Sequence, residues 1–247
     1  MRRSTSSRDT ESVTVNVPRW YFPEFSPVGT DLASVEAVAA FDRNQGTDPA
    51  RDAELLGRLR AEPGMVLVDL GCGTGSLLVE AARLGVAAHG VDVSENMLTF
   101  TRRRAAVAGV DVCLHHAGFL TYEHHGEPAD VVTVRSALHQ LPDFWKQVAL
   151  VRLRQFMRPG GRLYVSDAVW SFPPQDWQSA ITDWIDRMGM PEGSGFTRAD
   201  FETHVREEFS TFDWMLEGML VRAGFFIDSV TKPGPWSAAY WCSATPD

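Results

Sequence analysis

The sequence predicts an α/β fold in which a parallel sheet has helices on both faces. From Met65 onward, short apolar strands alternate with amphipathic helices. The strands are continuously apolar, as in MVLVDL (65–70) and ADVVTV (129–134), and such strands are typically buried on both faces of a parallel sheet. We therefore expect a single domain over residues 13–247, with its core formed by this alternating part.

The segment before the alternation has a different character. Residues 1–12 are polar and contain no large apolar side chain, so they cannot offset the entropy of ordering and are expected to be a disordered tail. From Pro18 to Gly46 the chain is rich in aromatic residues and interrupted by prolines, and a helix is expected only over 32–41.

The alternating part predicts its elements in order. Asp48 and Pro49 mark the start of a helix that stops before Pro63. Strands are expected at 65–70, 86–91, 111–116, 129–134 and 161–169, with helices near 75–84, 94–108 and 143–157. Asp143 is expected to be the N-cap of the last of these helices.

The remaining part combines an insertion with a closing unit. Residues 170–210 interrupt the alternation with one amphipathic helix, a glycine-rich loop and a second helix capped by Thr197. A helix near 211–223 and two strands at 225–231 and 237–244 follow, and the Pro-Gly-Pro turn between the strands predicts a hairpin at one sheet edge. Residues 13–46 and 170–210 are expected to form a small helical cap over a substrate.

Composition limits the possible functions. Lys and Arg number 23 against 32 Asp and Glu, a formal net charge of −9, which disfavours nucleic acid and anionic membranes as partners. The three cysteines are widely separated and give neither a disulfide framework nor a zinc knuckle. No signal peptide or membrane-spanning apolar run is visible. We expect a cytoplasmic monomer or homodimer that acts on a small molecule, with no nucleic acid or membrane partner.

The strongest functional signal is VLVDLGCGTGSL (66–77). A buried strand ends at Asp69, and Gly71, Cys72 and Gly73 begin a turn into a helix. Such a turn offers backbone N–H groups and close backbone approach at the carboxyl end of a strand, where α/β sheets bind ligands. The dinucleotide fingerprint requires a further glycine where this chain has Ser76.

Two carboxylates narrow the choice of ligand. Asp92 ends the second strand, 21 residues after Gly71, where a carboxylate accepts both hydroxyls of a ribose. Asp69 precedes the glycines, where an anion suits a cationic amino-acid group better than a pyrophosphate. The pair fits S-adenosylmethionine (SAM) better than NAD, and an NAD-dependent oxidoreductase is the alternative.

Four segments resemble motifs of class I SAM-dependent methyltransferases. VLVDLGCGTG, GVDVSENML, ADVVTVRSALHQLPD and FMRPGGRLYVSD are similar to motifs I, II, IV and V, in that order, over roughly residues 50–245. The resemblance is to the small-molecule group that includes the ubiquinone and menaquinone methyltransferases. It implies a Rossmann-like sheet of seven strands in the order 3-2-1-4-5-7-6 with strand 7 antiparallel.

The resemblance also implies how SAM is held. Gly71 and Gly73, with Cys72 between them, line its methionine end, Asp92 takes the ribose, and Val93 and Met97 pack near the adenine. After transfer the product is S-adenosylhomocysteine.

One departure from the family concerns the adenine. Family members usually carry an acidic residue after strand 3 that accepts the adenine amino group, whereas this sequence has Ala117 and Gly118 there. We expect backbone groups at these two residues and apolar contact with Phe119 or Leu120 to hold the base instead. Arg135 either binds a carboxylate of SAM or substrate, or pairs with an acidic residue.

Candidate residues for the acceptor side are less sharply defined. His139 is either a base or a histidine that packs a helix and bonds a backbone carbonyl. The polar cluster in THVREEFSTFDW (203–214) either faces the acceptor or forms a solvated helix face. We select His139, His204 and Glu207 as catalytic residues. Substrate-binding candidates come mainly from the aromatic residues of the cap: Trp20, Tyr21, Phe25, Trp170 and Arg206.

The sequence favours methyl transfer without a metal. His115, His116, His124 and His125 lie within eleven residues, but adjacent histidines on a strand point to opposite faces, so no metal site is expected. SAM already carries an activated methyl group, so alignment and exclusion of water suffice for in-line displacement. We expect oxygen or nitrogen of a small molecule as acceptor, ahead of sulfur or carbon. A non-catalytic SAM-binding partner protein is a further alternative.

Overall fold

A computed structural model describes residues 18–29 and 34–246. The expected tail at 1–12 lies outside this part of the chain, as do residues 13–17 and 30–33 of the expected cap, which include the start of the helix expected over 32–41. The helices are α1 (Val35–Gln45), α2 (Pro49–Arg58), α3 (Ser76–Arg83), α4 (Glu95–Ala108), α5 (Asp143–Phe156), α6 (Trp177–Met188), α7 (Arg198–Glu207) and α8 (Asp213–Arg222). The strands are β1 (Val66–Leu70), β2 (Ala87–Asp92), β3 (Cys113–His116), β4 (Ala129–Arg135), β5 (Met157–Trp170), β6 (Thr211–Phe212), β7 (Phe225–Gly234) and β8 (Ser237–Ala244).

The sheet confirms the predicted topology. Its strand order is β3-β2-β1-β4-β5-β8-β7, and the two-residue β6 pairs with β5 outside this path. Strands β1 to β5 pair in parallel, while β8 runs antiparallel to both β5 and β7. Because β6 is counted, the hairpin strands are numbered one higher than in the predicted order, which is otherwise the same.

Apolar packing on both faces of the sheet explains why its central strands β1 and β4 lack an alternating pattern. Every residue of β4 from Ala129 to Val134 is buried. One cluster packs β4 and β5 against α5 and α8, and a second packs β1 and β2 against α2, α3 and α4. Each fully buried large aliphatic side chain contributes about 1.5–3 kcal/mol.

Helix starts agree with the capping signals, with one correction. The Asp48 side chain accepts from the backbone of Ala50 at the start of α2, and Thr197 forms a capping box with Asp200 at the start of α7. The expected N-cap role of Asp143 is wrong. Pro142 takes the N-cap position, and the Asp143 carboxylate instead accepts from Lys146 Nζ at 2.7 Å, because its place inside the first turn brings it opposite that ammonium group.

Other boundaries also differ from the sequence-based prediction. Helix α1 covers Val35–Gln45 rather than 32–41, since its stop is the left-handed Gly46 and not Phe41. Strand β3 covers only Cys113–His116, the residues that pair with β2. No described helix has the length and hydropathy needed to cross a membrane.

The two segments expected to form a cap contact one another. The ring centroids of Phe41 and Phe196 are 5.7 Å apart, and those of Phe22 and Phe209 are 6.3 Å apart. Under α6 and α7, Trp170, Phe172 and Trp184 form a separate apolar cluster. This part of the chain therefore has its own small core beside the sheet.

Two glycine-to-alanine substitutions test the packing in opposite directions. A Cβ on Gly90, in β2, would clash with Leu78 of α3, whereas one on Gly57, in α2, has open space within 4 Å. We expect Gly90→Ala to destabilise by about 1–3 kcal/mol through overpacking and Gly57→Ala to stabilise by about 0.5–1 kcal/mol through helix propensity. Urea unfolding measures both, and similar effects of the two substitutions would contradict the described packing.

Candidate functional site

The candidate site lies at the carboxyl ends of the parallel strands. The loop after β1 is joined there to the end of β2, because the N–H groups of Gly71 and Cys72 donate to the carbonyl of Val91 at 2.9 and 3.0 Å. The turn after β4 approaches the same loop, since Ala137 lies against Gly71. Three loops therefore meet at the carboxyl ends of β1, β2 and β4.

The three glycines of the loop are required for different structural reasons. Gly71, Gly73 and Gly75 all have left-handed φ angles, at +69°, +53° and +74°. A Cβ on Gly71 would clash with Ala137, and one on Gly75 would clash with Thr101. Gly73 has nothing within 4 Å in that direction. Packing explains the first and third glycines, while the second faces open space that a ligand can approach closely.

Asp92 fixes the glycine loop from the end of β2. Its Oδ2 accepts from the N–H of Gly73 at 2.9 Å and its Oδ1 from the N–H of Ser94 at 2.8 Å. Burial raises the pKa of Asp92, although these backbone donors counteract the shift. Each oxygen of the carboxylate keeps a further lone pair. The side chain can therefore anchor the loop and still accept from the hydroxyls of a ribose.

Asp69 offers an unpaired acceptor beneath the loop. Its Oδ1 accepts from the hydroxyl of Thr133 at 2.6 Å, while its Oδ2 is buried and has no hydrogen-bond partner among the described residues. Burial raises the pKa of Asp69. Leaving a buried acceptor unpaired costs about 1–3 kcal/mol. A ligand with an ammonium group would relieve that cost, so the donor set fits the amino-acid end of SAM.

The other predicted cofactor residues differ in exposure. The Cys72 side chain is buried in the cluster between the sheet and α3, so only its backbone belongs to the loop, and burial raises the pKa of the thiol well above its usual range. Met97 is buried, Val93 is partly exposed, and Phe119 packs at the margin of the core. Their contact with an adenine stays a prediction.

The sequence left two partners open for Arg135: a carboxylate of SAM or substrate, or an acidic residue of the protein. The structure shows the acidic residue. Its Nη1 donates to Asp52 Oδ1 at 2.7 Å, and the other oxygen of Asp52 accepts from the hydroxyl of Ser76. Asp52 is buried on α2. Its position three and four residues before Leu55 and Leu56 on the apolar face was a signal for this burial. A role of Arg135 toward SAM stays a prediction.

The loop after β3 uses its backbone donors within the protein. The N–H of Ala117 donates to the carbonyl of Asp92 at 3.2 Å, and the N–H of Gly118 donates to Thr121 Oγ1 at 3.0 Å. We expected backbone groups of these two residues to hold the adenine. Both N–H groups have partners within the protein, and contact of the remaining backbone groups with adenine stays a prediction.

His139 is held by a buried carboxylate. It lies on the short 3-10 turn after β4, and its Nδ1 and backbone N–H both contact Asp167 of β5. Burial opposes the charged form of the ring, but the Asp167 carboxylate outweighs burial and raises the pKa of His139. The same contact lowers the pKa of Asp167 against its burial. Asp167 was not selected from the sequence, although an acid inside the apolar strand GRLYVSDAV was a signal.

Glu208 joins His139 to the cap. Its Oε2 lies 3.1 Å from His139 Nε2 and also contacts His204 Nδ1, while His204 Nε2 lies 2.7 Å from Ser210 Oγ. His204 is therefore at the site, as selected. The acid beside it is Glu208 rather than Glu207, because residues 204 and 208 are one helical turn apart and face the same side.

Arg206 and Glu207 are not brought to this group. Arg206 Nη2 lies 3.3 Å from Glu207 Oε1, and both side chains are largely exposed. Among the described contacts of His139 and His204, neither side chain appears. The catalytic role of Glu207 and the substrate-binding role of Arg206 therefore stay predictions.

A cavity of about 210 Å³ opens beside Glu208. Its polar lining is Glu208 and Ser210, and its other lining residues are apolar: Trp170, Phe172, Trp177, Ile181, Val205 and Phe212. Trp170 lines this cavity, and its contact with substrate stays a prediction. The cavity is smaller than the usual range of about 300–1,000 Å³ for small-molecule sites, which favours a compact ligand.

The segment 18–29, here called the arm, lies on the loop after β3. The Tyr21 hydroxyl donates to the carbonyl of Leu120 at 3.0 Å, and the Phe25 ring meets His116 edge-on. Trp20 is 72% exposed and stacks on Trp145. None of these three residues lines the cavity beside Glu208. Their predicted contact with substrate is therefore not made through that cavity.

Within the described part of the chain, two groups of side chains bring metal-ligating atoms within 4.8 Å of one another: His139, His204 and Glu208, and His89, Cys113 and His115. In the first group the contacts of Glu208 with both rings account for the arrangement. In the second, burial lowers the pKa of His115 to about 4, and its Nε2 lies 3.2 Å from His89 Nδ1. The expectation of no metal stays a prediction.

Comparison with known proteins identifies related sequences. A family model described as a methyltransferase domain matches residues 67–161. A 27-O-demethylrifamycin SV methyltransferase of Amycolatopsis mediterranei is 28% identical over 62% of this chain and 56% of its own length. A ubiquinone biosynthesis O-methyltransferase of Sodalis glossinidius is 30% identical over 66% of this chain and 68% of its own length. The chain spans about half the length of the first of these relatives.

Solved structures share the fold at low identity. Magnesium protoporphyrin IX methyltransferase from Synechocystis PCC 6803 with bound SAH has a TM-score of 0.59 at 16% identity, covering 88% of this chain and 90% of that one. Phosphoethanolamine N-methyltransferase 2 of Haemonchus contortus in complex with SAM has a TM-score of 0.64 at 15% identity, covering 87% and 58%. This likeness concerns the fold.

Substitution of Gly73 tests whether the open side of the loop holds a ligand. Gly109, at the end of α4, is a matched control because it has a φ of +68° and also has nothing within 4 Å. We expect valine at either position to cost about 1–2 kcal/mol through left-handed strain. Only Gly73→Val should weaken binding of S-adenosylhomocysteine, by more than about a hundredfold in calorimetric titration. Equal affinities of the two variants would show that the loop is structural only.

Proposed function

The chain belongs to the SAM-dependent methyltransferases, and on that premise we propose that it transfers the methyl group of SAM to a hydroxyl oxygen of a compact, largely apolar small molecule. Family membership rests on the ubiquinone O-methyltransferase relative, which is 30% identical over 68% of its length. The cofactor of the family is SAM, and related structures hold SAM or SAH. This decides against NAD as the cofactor.

The residues at the strand ends fit this cofactor. Asp92 would accept from the ribose hydroxyls, the backbone at Gly73 would approach the ligand closely, and the unpaired oxygen of Asp69 would accept from its ammonium group. When bound, SAM supplies an electrophilic methyl carbon on a positively charged sulfur. The chain must then position an acceptor and exclude water.

The observation that carries the proposal is the contact of His139 with Asp167 on one side and Glu208 on the other. Asp167 meets Nδ1 of His139, which leaves Nε2 directed at Glu208. Glu208 lines the aromatic cavity beside α6. His139 itself does not line the cavity and is separated from it by Glu208. An imidazole that one carboxylate orients through Nδ1, and whose Nε2 points toward the side from which an acceptor can enter, fits the role of a general base.

The proton can be followed through these groups. A hydroxyl that enters between the cavity and His139 would donate its proton to Nε2, and its oxygen would use the electron pair so released to bond to the methyl carbon. The bond between that carbon and the sulfur would break at the same time, and its electron pair would stay on the sulfur of the departing S-adenosylhomocysteine. The imidazolium so formed is stabilised by Asp167, which holds Nδ1–H as donor. His204 and Ser210 keep Glu208 in place beside the entering group.

A base of this kind favours oxygen over the other acceptor atoms. A neutral amine attacks with its own lone pair and a thiol ionises readily, whereas a hydroxyl gains most from proton removal as its bond forms. The two relatives compared above are named for related chemistry, one as an O-methyltransferase and one for 27-O-demethylrifamycin. The aromatic lining and small volume of the cavity support a compact acceptor with a ring.

Removal of the base tests the proposal. We expect His139→Gln to lower kcat by about 10²–10⁴-fold while calorimetric binding of S-adenosylhomocysteine is retained, because His139 acts on the acceptor. His125→Gln is the matched control, since His125 is exposed. Turnover is measured by mass spectrometry as the gain of one CH2 by hydroxylated ring compounds incubated with SAM. Methylation by the variant at the normal rate would contradict the role of His139, and binding without any methylated product would favour a non-catalytic SAM-binding protein.

The pH dependence gives a second test. The base acts in its neutral form, so kcat/KM should rise with pH through the raised pKa of His139. Asp167→Asn removes the carboxylate that raises this pKa, so the midpoint of the rise should move to lower pH while the maximal rate falls. A midpoint that stays where it is in the variant would show that a group other than His139 titrates.

A further inference from the structure

Glu24 places a carboxylate of the arm at the end of β3. Its Oε2 accepts from the N–H of Leu120 at 2.9 Å, and its Oε1 accepts from the hydroxyl of Thr121 at 2.6 Å. The Thr121 hydroxyl in turn accepts from the N–H of Gly118 at 3.0 Å. The carboxylate is thus fixed by hydrogen bonds to a loop that lies about a hundred residues away in the chain.

The carboxylate occupies the space that a side chain at position 118 would fill. A Cβ built on Gly118 would clash with the carboxylate of Glu24 and would lie 2.8 Å from Cγ1 of Val93. Val93 directly follows Asp92, the residue expected at the ribose. Glu24 therefore lies beside Gly118 and Val93. These two residues flank the part of the site that follows Asp92, between the carboxyl ends of β2 and β3.

We propose that Glu24 binds the adenine of SAM by accepting a hydrogen bond from its exocyclic amino group. This inference rests on the proposed function, because it concerns the cofactor of that reaction. It assigns recognition of the base to the arm rather than to the loop after β3.

The hydrogen-bonding chemistry at this position supports a carboxylate acceptor. An amino group that leaves water needs an acceptor in the protein, because a buried donor without a partner weakens binding. Ala117 and Gly118 carry no polar side chain, and their backbone N–H groups are donors that already have partners. Glu24 accepts from the N–H of Leu120 and from the hydroxyl and the N–H of Thr121. A carboxylate has about four acceptor positions, so one is left for a further donor. Burial raises the pKa of Glu24, so a further donor stabilises its charged form.

The position of Glu24 couples two parts of the site. The same arm reaches the acceptor side, where Gly29 lies against Glu208. A cofactor that contacts Glu24 therefore holds the segment that also borders the His139 group. Recognition of the adenine and coverage of the acceptor side then both depend on the docking of the arm.

Calorimetric titration with two ligands tests the contact. S-Adenosylhomocysteine carries the amino group, and its 6-deamino analogue carries hydrogen in its place. We expect the wild-type chain to prefer the amino compound by about ten- to a hundredfold, as for a hydrogen bond to a charged group. In Glu24→Ala, affinity for S-adenosylhomocysteine should fall by that factor, and the preference between the two ligands should disappear.

A control and a rescue separate this contact from docking of the arm. Tyr21→Phe removes a hydrogen bond between arm and loop that does not involve Glu24, from the Tyr21 hydroxyl to the carbonyl of Leu120. This variant should keep the preference for the amino compound. In Glu24→Ala combined with Gly118→Asp, a carboxylate attached to the loop enters the vacated space. This pair should regain the preference.

The outcomes distinguish the inference from the function on which it rests. Failure of the wild-type chain to bind S-adenosylhomocysteine would overturn both. If the wild-type chain binds it and Glu24→Ala keeps the affinity and the preference, Glu24 serves only to dock the arm and this inference alone is wrong. Tighter binding by Glu24→Ala would also overturn it, since the carboxylate would then obstruct the base.

Discussion

The site depends on the way the chain leaves β1. At that point the backbone turns through left-handed conformations, and the Asp92 carboxylate of the neighbouring strand accepts from the N–H of Gly73. The Val91 carbonyl takes the two preceding N–H groups. This cross-strand bonding fixes the loop at the carboxyl ends of the strands, and it leaves open space on the Cα side of Gly73 that a ligand can approach. Every other part of the site is positioned relative to these strand ends.

A second polar connection links the core of the sheet to the cap. Asp167 belongs to β5, His139 to the turn after β4, and Glu208 to the end of α7, and these three contact one another in series. Buried polar groups of this kind persist only when each has a partner. The series therefore constrains where α7 can lie relative to the sheet. The chemistry of methyl transfer uses the same contacts, because an oriented base and an enclosed acceptor are what the reaction requires.

Much of the fold follows from local patterns. Continuous apolar strands, the caps at Asp48 and Thr197, and the turn between β7 and β8 are determined by neighbours in sequence, and the structure agrees with them. Boundaries such as the start of α1 and the cap of α5 differ by one to three residues, and these differences are local too. Ser34 caps α1 through the N–H of Ala37, and Asp143 pairs with Lys146 in the same helix instead of capping it.

The sequence by itself determined the fold class, the strand order through its family resemblance, the glycine loop and the two carboxylates at the strand ends. All of these depend on spacing within one βαβ unit or on a contiguous motif. Only the tertiary structure decided that Glu208, not Glu207, meets His139, that Arg135 pairs with Asp52, and that Glu24 lies at Gly118. The residues in such contacts are separated by tens of positions, 96 between Glu24 and Leu120. No periodicity in the sequence carries that information, because it arises when loops from different strands and the arm are packed against the same edge.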